Sequence, residues 1–281
     1  MKIKISADST LDLTPEIIAA EDIGVVPMTV VLGDTQYKDG VDITPDMLFA
    51  HVDGGGSSHT SAINAEEYAE HFDKYLLDHD AVVHITISSG LSACYQDACL
   101  AAEGKPVYIV DSKNLSSSGG ILALRARELV SQGFSASEIA DKLRGLVPKI
   151  SANFVIDSLK YLHKGGRCSG VAALGANILR LKPCIEVRAD EGKMEVGKKY
   201  RGSFETVILQ YIEDQLANRG DVDTSIIAIT RATGVTEEIL ASVRSKIAEH
   251  CTFDRVIETF AGCTISNHCG PVCLGILFLT K

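Results

Sequence analysis

The sequence lacks several features that would place it quickly, and each absence narrows the field. It has no run of about eighteen uninterrupted apolar residues, the length a helix needs to span a bilayer. Its opening, MKIKISADST, alternates as a strand does and has neither the apolar core nor the small-residue cleavage site of a secretory signal. A cytoplasmic location is the expectation. Basic charge is also in deficit: 27 Lys and Arg face 37 Asp and Glu, for a net charge of -10. That balance works against phosphate backbones and anionic lipid surfaces, so neither nucleic acid nor stable membrane insertion is expected. Internal repeats and low-complexity tracts are missing as well.

The usual signatures of chemistry are incomplete. There are 8 cysteines, but no paired C-x2-C knuckles accompany Cys263, His268, Cys269 and Cys273, so no metal site is expected. Most of these cysteines lie among Val, Leu and Gly, where a reduced thiol behaves as a small core hydrophobe. Ser89 follows a strand and precedes a helix, yet the glycines of a G-x-S-x-G elbow are not there. The stretch Gly192 to Lys199 begins like a phosphate loop but ends in Lys199 where a Mg-binding Ser or Thr is required, and it alternates like a strand. No G-x-G-x-x-G opens the first strand-to-helix turn, and no cofactor is expected. The carboxylate pairs Asp39/Asp42 and Asp190/Glu191 sit in turn-like stretches and read as solvated. No catalytic residue is assigned.

What is present is a large apolar fraction, 46% of 281 residues, enough for one large core or two ordinary ones. Short β-rich runs alternate with helical ones: KIKISA, TPEIIAAEDI, GVVPMTVVL, then AVVHITIS, LSACYQDACLAAEG and VYIVDS. This pattern predicts an α/β fold with a mainly parallel sheet. Asn64 and Glu67 form a capping-box start for a helix reaching about His79. Pro148 marks a break, which suggests α/β domains at 1–150 and 151–281. In the second, residues 169–180 (SGVAALGANILR) look helical, and two strands meet at Asp190-Glu191-Gly192, so the sheet there should be mixed.

The remaining candidates are short polar side chains at turns. His59-Thr60-Ser61 ends a Gly/Ser loop, and Ser88-Ser89-Gly90 follows a strand; both lie ahead of helices, where backbone N–H groups favour an anion. Hydroxyls bind a carboxylate without adding bulk. Equally, Thr60, Ser61 and Ser89 suit helix caps, Arg167 a surface turn and His268 a packed loop.

Several turns together resemble the DegV family of bacterial fatty-acid-binding proteins. They are Asp8-Ser9-Thr10, His59-Thr60-Ser61, Ser88-Ser89-Gly90-Leu91-Ser92 with Tyr95-Gln96, and Val110-Asp111-Ser112. The resemblance continues through the run from Asp157 to Lys164-Gly165-Gly166-Arg167, then Leu181-Lys182-Pro183 and His268-Cys269-Gly270-Pro271. It implies two α/β domains with a lipid tunnel between them and the carboxylate of one long-chain fatty acid, roughly C14 to C20, at the junction. Thr60 and Ser89 match the family's head-group ligands, with Ser61, Arg167 and His268 nearby and Gly90, Ser92, Gly165 and Gly166 in supporting turns. It further implies a non-catalytic lipid-binding subunit of a fatty acid kinase, whose separate ATP-binding subunit makes the acyl phosphate used in phospholipid synthesis. Arg201 and Lys199, in a basic island with Lys193 and Lys198, then suggest a docking point for that partner, or else an ordinary solvated hairpin. Two departures stand out: Ala62-Ile63-Asn64 replace the family's Gln-Pro-Ser, and Gly270-Pro271-Val272 its Gly-Pro-Gly. The competing readings are a hydrolase or transferase of the α/β class using Ser89 or His268, and a lipid-responsive regulatory protein.

Overall fold

The computed structural model describes residues 1–168 and 181–281, so the helix expected over 169–180 lies outside the described residues. The chain begins β1 (Ile3–Asp8), α1 (Pro15–Ala20), β2 (Ile23–Val26), β3 (Thr29–Leu32), β4 (Thr35–Lys38), α2 (Pro45–Asp53) and β5 (Ser58–Ser61). It continues α3 (Ala65–Leu76), β6 (Ala81–Thr86), α4 (Cys94–Ala102), β7 (Val107–Asp111), α5 (Ser117–Ser131) and α6 (Ala136–Leu146). Then come β8 (Ile150–Ile156), α7 (Lys160–Gly165), β9 (Lys182–Arg188), β10 (Lys193–Tyr200), α8 (Phe204–Leu216) and β11 (Val222–Arg231). The last elements are α9 (Glu237–Ala248), β12 (Val256–Phe260), α10 (Cys263–Cys269) and β13 (Cys273–Thr280).

Both β1 and β6 are buried at every position, as strands covered on two faces must be. They form the centre of a parallel sheet in the order β2-β1-β6-β7. Ile3, Ile5, Ala7, Val83 and Ile85 join one apolar cluster with α5 and α6, while Val82 and Ile87 join another with Tyr68, Phe72, Cys94 and Ala98 of α3 and α4. The second sheet is mixed, β10-β9-β8-β13-β11-β12, with only β11 and β12 pairing in parallel among its described strands. This is the α/β architecture expected, one parallel sheet and one mixed.

Helix α5 lies between the two sheets and touches strands of both. Its first turns are buried all round, from Ser117 to Leu124. Leu124 and Ala126 share a cluster with Ala228, Ile257 and Leu277 of the second sheet. The start of the helix is tied to that sheet by a ring of three buried hydroxyls: Ser117 Oγ is 2.6 Å from Thr230 Oγ1 and 2.9 Å from Thr259 Oγ1, and the two threonines are 2.9 Å apart.

A third sheet, β4-β3-β5, is antiparallel and was not foreseen. The run GVVPMTVVL reads as one strand, but Pro27 has no N–H for a ladder and splits it: β2 joins the parallel sheet and β3 turns away into the small one. As a result Thr60 stands on a strand, opposite Val30, rather than at the end of a loop.

The turn after β6 and the β9–β10 hairpin interlock. Ser88 Oγ donates to the Gly192 carbonyl at 2.6 Å. A Cβ on Gly90 would come 2.5 Å from that same oxygen, and Gly192 has a φ of +69°. Substituting Gly192→Ala adds left-handed strain and places a methyl 2.1 Å from Ser88 Oγ. The expected loss is about 1–3 kcal/mol in urea unfolding; unchanged stability would mean that the two turns are not held against each other.

Candidate functional site

Helix α10 organises the site, and it is held from its first turn. Asp39 accepts from Cys263 N at 2.8 Å and from Thr264 N at 3.2 Å, and Asp12 accepts from Gly262 N at 2.9 Å. Asp39 is 3% exposed, which corrects its reading as a solvated turn residue; Asp42, by contrast, is exposed and accepts from Lys38 N at 2.5 Å. Asp12 in turn accepts from Ser116 Oγ at 2.5 Å. Both partners adopt positive φ, 46° and 58°, a conformation that costs on the order of 1 kcal/mol per residue and is retained here by the junction they build.

At the other end of α10, His268 Nε2 lies 3.0 Å from Thr60 Oγ1 across a sequence separation of 208 residues. The approach depends on Gly165, where a Cβ would fall 2.1 Å from His268 Nδ1. Gly166, at φ +65°, closes α7 in the left-handed conformation and turns the chain so that Arg167 Nη1 donates to the Gly165 carbonyl at 2.7 Å. Burial, and then the positive charge of Arg167, push the His268 imidazole down to about 4, so it is neutral at neutral pH.

Thr60, Ser92, Arg167 and His268 line one cavity of about 210 Å³. The rest of its wall is largely apolar, including Met28, Ile87, Leu91, Leu115, Met194 and Ile265. Leu115, Ile265 and Cys269 also border a smaller space of about 20 Å³ that runs on between Phe154, Val187 and Leu277. Thr60, Ser92, Thr264, Arg167 and His268 are the polar groups on the larger space, and Ser116, Asn153, Thr230 and Arg231 border the smaller one beside its apolar residues. Ser92 Oγ accepts from Cys94 N at 3.3 Å and donates to Cys94 Sγ at 3.1 Å, which fixes its place at the start of α4.

The other expected ligands stand elsewhere. Ser61 is exposed and Ser89 half-buried, and neither is on the cavity wall. Ser89 Oγ accepts from Lys113 Nζ at 2.9 Å, and Lys113 also lies 3.2 Å from Asp111 Oδ2. Neither Thr60 nor Ser89 caps a helix: α3 is capped by Asn64, with Glu67 completing the capping box, and α4 has no side-chain cap. Of the serines in the 88–92 turn, Ser88 reaches the hairpin, Ser89 meets Lys113 and Ser92 faces the cavity. Nothing in the residue pattern marks Met28, Leu115 or Met194 as wall. Asp39 is legible in the sequence only as an acid in a turn, and no signal there singles out Asp12. Among the described residues no group of three or more His, Cys, Asp or Glu side chains is arranged to hold a metal ion.

The fold and this cavity define a class: an α/β protein with two principal sheets and a largely apolar cavity that carries a few polar groups. The family profile of DegV, described as uncharacterised proteins, matches residues 2–281, and the chain belongs to that family. A DegV domain-containing protein of Clostridium acetobutylicum is 32% identical over 286 residues, covering 100% of this chain and 99% of its own. Among solved structures, a DegV family protein from Thermus thermophilus, described for its fatty acid binding, is 28% identical with a TM-score of 0.87, covering 100% of both chains. A stearic acid-binding protein from Eubacterium ventriosum is 26% identical with a TM-score of 0.84, covering 99% of this chain and 98% of its own.

The acid that holds α10 should leave a mark on stability. Burial pushes the Asp12 carboxyl up to about 8, from an ordinary 3.8, and the nearby Asp39 and Asp8 charges add to the push against the hydrogen bonds from Ser116 and Gly262. The folded protein thus keeps a proton that the unfolded chain gives up, and stability falls as pH rises between those values. Asp8, raised to about 6 chiefly by burial, acts in the same sense over its lower range. The buried His71, His84 and His268 act oppositely below their ordinary 6.5, because their folded forms refuse a proton that the unfolded chain accepts. Of these groups, only Asp12 changes stability between about 6.5 and 8. Urea-unfolding free energy should therefore fall across that window, by up to about 1.4 kcal/mol per pH unit, and Asp12→Asn should flatten the fall. A slope that survives the substitution would assign it to another group.

Proposed function

We propose that this protein binds one long-chain fatty acid, with its carboxylate among Thr60, Ser92, Arg167 and His268 and its tail in the apolar cavity behind them. The observation that carries the reading is the meeting of Thr60 with His268 on the wall of a largely apolar cavity that Ser92 and Arg167 also line. The T. thermophilus and E. ventriosum relatives, described as binding fatty acid and stearic acid, support it. On this reading the chain divides into halves at 1–150 and 151–281 that close over the ligand. Ser61 and Ser89 lie off the cavity wall, and Ser92 supplies the second hydroxyl.

The energetics suit such a ligand. About fifteen methylenes at roughly 0.8 kcal/mol each offer on the order of 12 kcal/mol gross, before ordering costs. An ionised carboxylate taken from water needs hydrogen bonds, and the mouth offers two hydroxyls, a guanidinium and a neutral imidazole. The side chain of Arg167 is exposed, so the carboxylate it holds lies close to solvent and within reach of a second protein.

That accessibility fits presentation to a separate ATP-dependent fatty acid kinase subunit, in which a carboxylate oxygen attacks the terminal phosphorus of ATP to give acyl phosphate and ADP. Hydroxyl ligands leave the oxygen more nucleophilic than a buried lysine would. In the basic hairpin, Lys198 is paired with Asp214 at 2.5 Å and Lys193 with Glu191 at 3.2 Å, while Lys199 and Arg201 are exposed. These last two are the proposed docking residues.

Native mass spectrometry of freshly purified protein should show one added mass in the fatty-acid range per chain. In Thr60→Val/Arg167→Gln that occupancy should fall at least about ten-fold, the loss of one charge-assisted and one neutral hydrogen bond. Empty wild-type protein, or full occupancy in the double variant, would overturn the reading. Separately, Arg201→Glu should lower kinase-coupled acyl phosphate formation while leaving lipid occupancy unchanged. If both fall together, the hairpin is not a docking surface.

A further inference from the structure

Resting on the fatty-acid reading above, we infer that the cavity also accommodates a hydroxyl on the acyl chain a few carbons from the carboxylate, and that Thr264 recognises it. Thr264 and His268 are four residues apart on α10, on the same face, and both lie on the cavity wall. Thr264 is 3% exposed. Its backbone N–H is taken by Asp39 at 3.2 Å, but its Oγ1 has no hydrogen-bond partner among the described residues. The neighbouring hydroxyls differ: Ser266 Oγ donates to the Ala261 carbonyl at 3.0 Å, and Thr60 Oγ1 meets His268.

A buried hydroxyl left without a partner costs about 1–3 kcal/mol, and valine would fill the same volume without that cost. Because the Thr264 hydroxyl is committed to nothing in the wall, rotation about its Cα–Cβ bond exchanges methyl for hydroxyl at the cavity surface and breaks no hydrogen bond. Its position also sets where a partner must sit. Four residues of helix rise about 6 Å from His268 to Thr264, and Ala261, nearly a turn further on, borders the adjoining smaller space. A chain whose carboxylate is held at His268 passes Thr264 with its third to fifth carbons. A 3-hydroxy acid therefore brings a hydroxyl that makes one hydrogen bond with Thr264 Oγ1, as either its donor or its acceptor.

The test is competition on delipidated full-length protein, read by native mass spectrometry, among hexadecanoic, 3-hydroxyhexadecanoic and 16-hydroxyhexadecanoic acids. Wild type should favour the 3-hydroxy acid over hexadecanoic acid by about five-fold, the worth of one ordinary hydrogen bond, and should show no such preference for the 16-hydroxy acid. In Thr264→Val the ratio should collapse to about one while binding of hexadecanoic acid itself persists, and Thr264→Ser should keep the preference. A wild-type ratio near one, or a preference that survives in Thr264→Val, overturns the inference; should that variant not fold, Thr264→Ala makes the same comparison. Failure of wild type to bind hexadecanoic acid at all would instead strike the fatty-acid reading on which this one rests.

Discussion

Two buried acid side chains gripping the first backbone N–H groups of α10 set the position of the helix that lines the cavity. The helix has only seven residues, too few to hold itself together, so its position must come from tertiary contacts. Asp39 and Asp12 supply them from segments far away in sequence. Gly262 is part of the same device, since a Cβ there would lie 3.2 to 3.4 Å from oxygens of both acids. The arrangement is expensive in charge, and the protein resolves it by keeping Asp12 protonated at neutral pH.

From that anchor, one helical face presents Thr264, Ile265, His268 and Cys269 to the cavity. The imidazole approaches closely only because Gly165 has no side chain to obstruct it. Its neutrality matters to the electrostatics of the mouth. A lone guanidinium balances one carboxylate, whereas a second fixed cation would leave surplus positive charge in a half-buried place whenever the cavity was empty.

Much of the architecture is readable from local pattern. Strand and helix alternate as written, the Asn64/Glu67 capping box forms, and the 190–192 turn joins β9 to β10. The helix after the capping box ends at Leu76, short of His79, where local signals are weakest. The small antiparallel sheet escaped notice because a single proline divides an otherwise continuous apolar run, and where the second part goes depends on partners distant in sequence. Asp39 illustrates the same limit: an acid in a turn looks solvated until a helix from the far end of the chain settles on it. The 88–92 turn shows a finer one. A motif says that its serines matter, but the fold distributes them among a hairpin, a lysine and a cavity.

The placement of α5 bears on how the chain comes into being. Synthesis delivers this helix well before the strands that cover its outer side, β11 and β13. Until those strands are made, its apolar side facing them has no native cover, and the nascent chain carries a sticky surface that β11 and β13 quench. Arrival of β11 and β13, rather than completion of the parallel sheet, is the step that buries the outer side of α5.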